Sequence, residues 1–78
     1  MKVIDVRTVD EYQAMGNSDH INIPLDSLGQ EISRYSIQVD EPIVVVCRSG
    51  ARSGMAVMIL HALGYTHVTN GGAWDSLG

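Results

Sequence analysis

The sequence predicts an α/β domain in which a small, mostly parallel sheet of about four strands carries helices on its faces. Short β-branched segments alternate along the chain with segments whose apolar residues have helical spacing. The segment IVVVC at 43–47 is continuously apolar, which is typical of strands buried on both faces of a parallel sheet. Because 78 residues are enough for one small hydrophobic core, we predict a single domain spanning residues 1–78.

The first half of the chain predicts two pairs of strand and helix. Residues 2–6, KVIDV, have the composition of a strand, and TVDE at 8–11 has the capping-box pattern that begins a helix running to about residue 15. INIP at 21–24 predicts a short strand, which its proline confines to a strand end or a sheet edge. SLGQ at 27–30 predicts a second capping box and a second helix.

The second half predicts the central strand at 43–47 and then a helix from Ser53 to Leu63, with Gly64 just past its end. Four apolar positions predict the buried face of this helix: Met55, Met58, Ile59 and Ala62. THVT at 66–69 predicts the last strand, and NGG at 70–72 predicts a turn into a short tail. In that tail Trp74 could cover the site or fill the small core, and we expect packing because the chain has no phenylalanine.

The charge and the cysteine content exclude several functional classes. A net charge of −4 argues against a nucleic-acid partner, because binding a phosphate backbone needs a basic face. The apolar segments are too short to cross a bilayer, and MKVIDVRT at the N-terminus does not have the pattern of a secretory signal, so we expect no membrane partner and a cytoplasmic location. One cysteine cannot form an intramolecular disulfide or a thiolate zinc site, and the three histidines lack metal-ligand spacing, so no metal or cofactor is expected.

The single cysteine, Cys47, is the last residue of the predicted central strand, and binding sites in open α/β sheets lie beyond such strand ends. The residues that follow, RSGARS at 48–53, have mostly small side chains and lead into a helix N-terminus. Several backbone amides can therefore converge near the sulfur and form an anion-binding nest. A thiolate beside these amides and two arginines should have a pKa well below the usual value of about 8.5. We predict that Cys47 is the catalytic group.

The loop after Cys47 supplies the candidate substrate-binding residues: Arg48, Ser49, Gly50, Ala51, Arg52 and Ser53. The two arginines would hold an anion, and the two serine hydroxyls could donate hydrogen bonds to it, although Ser53 is equally suited to be a helix N-cap. The alternative is an inert buried cysteine whose neighbouring arginines only solvate the surface. The coincidence of strand end, amide-rich loop, paired arginines and helix start favours the reactive interpretation.

Asp5 and Arg7 are candidate supporting residues at the end of the first strand, on the same sheet edge as Cys47 if the strands are parallel. Asp5 could brace the loop or pair with an arginine. Equally, Arg7 could pair with Glu11 four residues further on while Asp5 caps local amides.

Three blocks of the chain resemble the rhodanese-like sulfurtransferases. IVVVCRSGARSGMAVMILHALGYTHVTNGG is similar to that family's active-site strand, loop, helix and following strand, and VIDVRTVDEY and INIPLDSL are similar to its two other recognisable blocks. The resemblance implies transfer of a sulfane sulfur from thiosulfate, or a similar small anionic donor, through a persulfide on Cys47 to cyanide or a thiol. A sulfur-accepting protein is a further candidate partner. On this basis Arg48 and Arg52 hold the donor, and the amides of residues 48–53 cradle the outer sulfur.

Two departures from the family pattern are visible. The chain has MGNSDH at 15–20 where the family usually has a stretch like G-H-I-P-G-A of the same length. Family domains also usually have a further strand and helix before the DVR block and more chain after the Gly-Gly pair. A trimmed rhodanese-like domain of this kind would have an unprotected sheet edge, so self-association is an expected route to stability.

Two alternative functions are compatible with parts of this sequence. Cysteine phosphatases, and the related arsenate reductases, combine a thiolate, an amide loop and an arginine, but they use C-x₅-R spacing, whereas four residues separate Cys47 from Arg52. The tighter loop is better matched to one sulfur bonded to Cys47 at about 2.05 Å than to a tetrahedral phosphate. The other alternative is a non-catalytic rhodanese module that binds proteins. Such a module would be expected to lose the cysteine or the arginines, and this chain retains all three.

Overall fold

The computed structural model describes residues 1–76 and contains a four-stranded, fully parallel sheet with helices beside it, which confirms the predicted fold class. The predicted single domain, 1–78, includes two residues outside this described range. The strands are β1 (Lys2–Asp5), β2 (Ile21–Asn22), β3 (Ile43–Cys47) and β4 (Val68–Ala73). The helices are α1 (Val9–Ala14), α2 (Leu28–Glu31) and α3 (Ala51–Ala62), and 3₁₀ turns at Leu25–Ser27 and Ile32–Tyr35 flank α2.

The strands lie in the order β2-β1-β3-β4, so β3 pairs with a strand on each side, as predicted for the apolar segment. Its residues Ile43, Val45 and Cys47 join one buried cluster with Ile4 of β1. The helices α2 and α3 cover that face with side chains that include Leu28, Ala56 and Leu60. Burying each large aliphatic side chain contributes roughly 1.5–3 kcal/mol, and this cluster holds the end of β3 in place.

The predicted capping box of α1 is present. Glu11 N–H donates to Thr8 Oγ1 at 3.2 Å, and the Glu11 carboxylate accepts from Thr8 N–H at 3.1 Å. The predicted capping box at Ser27 is wrong, because the chain enters α2 through a 3₁₀ turn. Ser27 has φ −112° and ψ 1°, not the extended conformation of an N-cap, and its hydroxyl donates to the Pro24 carbonyl at 3.3 Å.

The buried face of α3 differs from the prediction. The buried residues are Ser53, Ala56 and Leu60, whereas Met55 and Met58 are 59% and 72% exposed and Ala62 is also exposed. Ile59 is the predicted member that packs against the core. Apolar residues surround almost the whole helix, so their spacing alone does not select a face. The small residues Ser53 and Ala56 face inward because the helix lies close to the sheet.

The predicted turn at 70–72 is wrong, because these residues belong to β4. Val45 pairs with Asn70 and Val46 pairs with Gly72, which leaves Gly71 as the extra residue of a β-bulge. A Cβ on Gly71 would lie 2.6 Å from Val44 Cγ1, so close packing against β3 requires glycine there. The Gly-Gly pair therefore serves a bulge inside a strand, next to the carboxyl end of β3.

The loop at 15–20, which departs from the family pattern, is tied to α1. The Tyr12 hydroxyl lies 2.9 Å from the carbonyl oxygens of both Asn17 and His20. The loop leads directly into β2, which has only two residues. A very short edge strand presents few unpaired N–H and C=O groups with which a strand of another molecule could pair. Self-association stays a prediction.

Within residues 1–76 the longest helix is α3, and neither it nor any other described helix has the length and apolar character needed to span a bilayer.

Candidate active site

The sulfur of Cys47 lies where the end of β3 meets the start of α3. Gly50 is the N-cap of α3 and has φ +102°, a left-handed conformation that turns the loop sharply back on itself. As a result, Gly50 N–H donates to Cys47 Sγ at 3.0 Å and Ser53 N–H lies 3.4 Å from the same atom. The helix begins at Ala51, earlier than predicted, so Ser53 lies inside its first turn and is not the N-cap.

The ionisation of Cys47 depends on two opposing effects. Burial raises the pKa of the thiol, since the residue is only 1% exposed. Hydrogen bonding with the Ser53 side chain, 3.6 Å away, and with the amides of Ser53, Gly50 and Ser49 outweighs burial and lowers the pKa to about 7. The main cause of the lowering is therefore hydrogen bonding within the loop, whereas the sequence also suggested the arginine charges. A pKa this close to neutrality makes the thiolate a substantial fraction of Cys47 at neutral pH.

The Arg52 side chain forms a two-point ion pair with Glu11 of α1. Its Nη1 and Nη2 lie 2.6 and 3.0 Å from the two carboxylate oxygens, and each side chain is about one third exposed. The hydrogen bond from Arg52 is the main cause that lowers the pKa of Glu11 to about 2. Sequence reasoning missed this role of Glu11, although parallel strands place α1 and the loop after β3 at the same sheet edge.

We expect Glu11→Gln to lower stability at pH 6 and to have almost no effect near pH 2. The ion pair lowers the pKa of Glu11 from 4.5 to about 2, so its stabilisation is complete above pH 4.5 and is lost as the pH falls through about 2. Urea unfolding midpoints of wild type and variant across this pH range measure the effect. Glu31→Gln is the matched control, because Glu31 pairs with Arg34 only at 3.8 Å on the surface. Equal losses at pH 2 and pH 6 would contradict the assignment.

The remaining loop residues face solvent. Arg48, Ser49 and Ala51 are exposed, and within residues 1–76 the Arg48 side chain forms no hydrogen bond or ion pair. The structure therefore brings Cys47, Gly50 and Ser53 together. It directs Arg52 toward α1 and leaves the cation of Arg48 available at the mouth of the loop.

The predicted supporting residues Asp5 and Arg7 pair with each other. Arg7 Nη2 lies 2.7 Å from Asp5 Oδ2 in a buried ion pair, and Asp5 also accepts from the Arg7 backbone amide at 3.0 Å. Arg7 reaches only the Glu11 backbone carbonyl, at 3.5 Å, so the side-chain pair with Glu11 is not formed. The Trp74 ring lies 4.6 Å below the Arg7 guanidinium, and it packs there instead of in the core cluster. None of these three side chains hydrogen-bonds to Cys47 in the described structure.

Asn70, in the bulged part of β4, is a second residue that the sequence did not indicate. Its Nδ2 donates to the Gly50 carbonyl at 2.9 Å, and its Oδ1 accepts from the Ser53 hydroxyl at 2.6 Å. The motif NGG was interpreted as a turn, so no side-chain role was assigned to it. Among the described residues there is no group of three or more side chains suited to holding a metal ion.

The fold and the site together define a class of protein: a parallel α/β domain with one cysteine thiolate held by backbone amides between a strand end and a helix start. The chain belongs to the rhodanese-like domain family, whose model matches residues 1–73. The resemblance seen in the sequence is thereby confirmed.

Particular relatives agree with this assignment. The thiosulfate sulfurtransferase PspE of Escherichia coli K12 is 39% identical over 69 residues, which are 88% of this chain and 66% of that protein. The chain thus spans just under two thirds of that relative's length. A solved rhodanese with anions from E. coli has a TM-score of 0.86 and 36% identity, covering 95% of this chain and 87% of its own. The human single-domain sulfurtransferase TSTD1 has a TM-score of 0.83 and 26% identity, covering 97% and 79%.

Proposed function

We propose that the protein is a sulfurtransferase that carries a sulfane sulfur as a persulfide on Cys47. The observation that supports this most directly is the pair of amides, Gly50 N–H and Ser53 N–H, that lie 3.0 and 3.4 Å from the sulfur at a helix N-terminus. Such an arrangement favours a sulfur that carries negative charge. The named activity of the E. coli relative, thiosulfate sulfurtransferase, supports the same function.

In the first step the Cys47 thiolate attacks the outer sulfur of thiosulfate. The S–S bond of thiosulfate breaks, and sulfite leaves with the bonding electron pair. A new S–S bond joins that sulfur to Cys47, and the persulfide carries the negative charge that the thiolate had. No oxidant is needed, because the charge and electrons balance within donor and enzyme.

In the second step the acceptor, cyanide or a thiolate, attacks the outer sulfur of the persulfide. The S–S bond to Cys47 breaks, and the electron pair returns to Cys47 as thiolate. The products are thiocyanate or a new persulfide on the acceptor. The loop amides serve both steps, since each step begins or ends with an anionic sulfur at this position.

The arginines have different roles in this proposal. Arg48 recruits the anionic donor, since it is exposed and unpaired within the described chain. Arg52 is held by Glu11, so its main contribution is to fix the first turn of α3, with a weaker electrostatic effect on the donor. The exposed Ser49 and Ala51 leave space for the donor at the loop mouth, and Ser53 and Gly50 hold the sulfur.

Two structural features favour sulfur transfer over phosphate or arsenate chemistry. A cysteine phosphatase uses its loop arginine to bind the phosphate oxygens, whereas here Arg52 is engaged with Glu11 at 2.6 Å. The sulfur of Cys47 is also almost fully buried, which favours a small donor over a bulky phosphate ester. A non-catalytic binding module would have no need for a thiol whose pKa is lowered to about 7.

The same chemistry suggests where the protein works and with which partners. A thiol acceptor, whether a small molecule or a sulfur-accepting protein, is abundant in a reducing compartment, where Cys47 would also stay a free thiol. We therefore include the cytoplasm in the proposal.

The proposed function is tested by the mass of the intact protein after thiosulfate treatment. We expect a gain of one sulfur atom that is removed by cyanide, with thiocyanate released in equal amount. No mass gain over a wide range of thiosulfate concentration, together with hydrolysis of aryl phosphates, would replace this proposal by the phosphatase alternative. Neither sulfur loading nor hydrolysis would favour the non-catalytic module.

The rate of sulfur loading should rise with pH through about 7 and level off above about pH 8. Only the thiolate attacks the donor, and the loop lowers the pKa of Cys47 to about 7. Loading of limiting enzyme by thiosulfate, sampled by mass between pH 5 and 9, measures this profile. A rate that continues to rise to pH 9 would show that the loop does not stabilise the thiolate.

A further inference from the structure

The side chain of Asn70 is exposed but makes three hydrogen bonds, two of them to the loop after Cys47. Its Nδ2 donates to Gly50 O at 2.9 Å, while its Oδ1 accepts from Ser53 Oγ at 2.6 Å and from Gly72 N–H at 2.9 Å. A backbone carbonyl can only accept and a backbone amide can only donate, so the orientation of the Asn70 amide is fixed by its partners. The bond to Gly72 spans the bulge, so the bulge itself aims this side chain at the loop.

The two loop residues that Asn70 holds both have backbone amides that face the sulfur. Gly50 and Ser53 donate to Cys47 Sγ at 3.0 and 3.4 Å, and Asn70 contacts the carbonyl of the first and the hydroxyl of the second. Gly50 has a left-handed φ of +102° and no side chain of its own to secure it. A contact from β4 thus restrains the sharpest point of the loop.

We propose that Asn70 is a positioning residue, which holds Gly50 and Ser53 so that their amides converge on the Cys47 sulfur. Hydrogen bonds to a charged acceptor weaken steeply when the donor moves or turns. The amides therefore stabilise the thiolate only if the loop holds them in position. Without Asn70 the loop would keep its composition but would lose alignment on the sulfur. This inference rests on the proposed function in one respect only: sulfur transfer explains why an ionised Cys47 sulfur is useful to the protein.

The other charged groups near the sulfur are left unchanged when Asn70 is replaced by a neutral residue. They are Arg48 of the loop, Arg52 of α3 with its partner Glu11 of α1, and Asp5 with Arg7 at the end of β1. A change in the titration of Cys47 would therefore report on the loop amides, since the Ser53 hydroxyl keeps the Gly50 carbonyl as an acceptor at 3.0 Å.

The test is the pKa of the Cys47 thiol, measured from the pH dependence of alkylation by iodoacetamide, in Asn70→Ala and Asn70→Leu. We expect a rise of about one unit, the effect of about one lost hydrogen bond to the anion, so that alkylation at pH 7 slows about fivefold. Leucine keeps the branched shape of the side chain without its polar atoms, so it alone is scored if alanine lowers the stability too far. Thr69→Ala is the matched control, because Thr69 is exposed on the same strand and points to the opposite face.

The outcomes separate this inference from the proposed function. A raised thiol pKa in the Asn70 variants with an unchanged value in Thr69→Ala supports the positioning role, whether or not the wild type loads sulfur. An unchanged or lower pKa in the folded Asn70 variants overturns it, as does an equal rise in Thr69→Ala. A wild type that never gains sulfur from thiosulfate would instead contradict the proposed function and leave the titration comparison valid.

Discussion

Replacing Cys47 by alanine is expected to abolish sulfur loading and sulfur transfer while the fold is retained. No other group at the site can carry the sulfur covalently, so the loss should be about a thousandfold or more. Cys47 belongs to the buried cluster, and removing one sulfur atom from it should cost roughly 1 kcal/mol of folding free energy, which the domain should tolerate. Intact mass after thiosulfate, thiocyanate production with cyanide, and the urea midpoint give the three measurements.

Cys47→Ser is the control for shape in this experiment. The hydroxyl can accept the Gly50 amide that now donates to the sulfur at 3.0 Å, so the loop keeps its conformation while the nucleophile becomes very weak. Both variants should be folded and inactive. Sulfur transfer by either variant at the wild-type rate would show that Cys47 is not the carrier.

Inserting one glycine after Gly50 is expected to reduce sulfur transfer about a hundredfold and to raise affinity for phosphate-like anions such as vanadate. In the wild type the Gly50 and Ser53 amides both lie within 3.4 Å of the Cys47 sulfur. The insertion creates C-x₅-R spacing and should move these two amides apart, so that they no longer converge on one sulfur atom. Electrostatic stabilisation is lost steeply once donors leave hydrogen-bonding range. Thiosulfate-to-cyanide turnover and vanadate binding are measured on both proteins.

The control is a glycine inserted after Asp40, in the exposed turn before β3, which tests whether the fold accepts an added residue. That protein should keep its sulfur transfer. Undiminished transfer in the Gly50 insertion, or strong aryl-phosphate hydrolysis by the wild type, would mean that loop length does not select the substrate.

The elements that the sequence predicted well are those whose signals are local. The continuous apolar run of β3 identified a buried strand, and the TVDE capping box placed the start of α1, because both depend on residues within a few positions of each other. The predicted buried face of α3 was wrong for Met55 and Met58, since an almost uniformly apolar helix has no local signal that selects its buried side. Packing of α3 against the sheet determines which side of the helix is buried.

The sequence by itself determined that Cys47 ends a central strand and is followed by a loop of small residues at a helix start. Those features follow from strand composition and from the backbone chemistry of short side chains. Only the tertiary structure decided which side chains hold that loop. Arg52 pairs with a residue 41 positions away, and Asn70 bonds to a residue 20 positions away.

The physical reason is that the partners come from different elements of a parallel sheet. Glu11 lies on the helix after β1 and Asn70 in a bulge of β4, and they reach the loop after β3 because the carboxyl ends of β1, β3 and β4 share one edge. A bulge cannot be distinguished from a turn when a Gly-Gly pair is seen without its neighbours. Gly71 packs closely against Val44 of β3, so NGG lies within β4 and does not form a turn. The bulge at Gly71 then directs the Asn70 side chain to the loop.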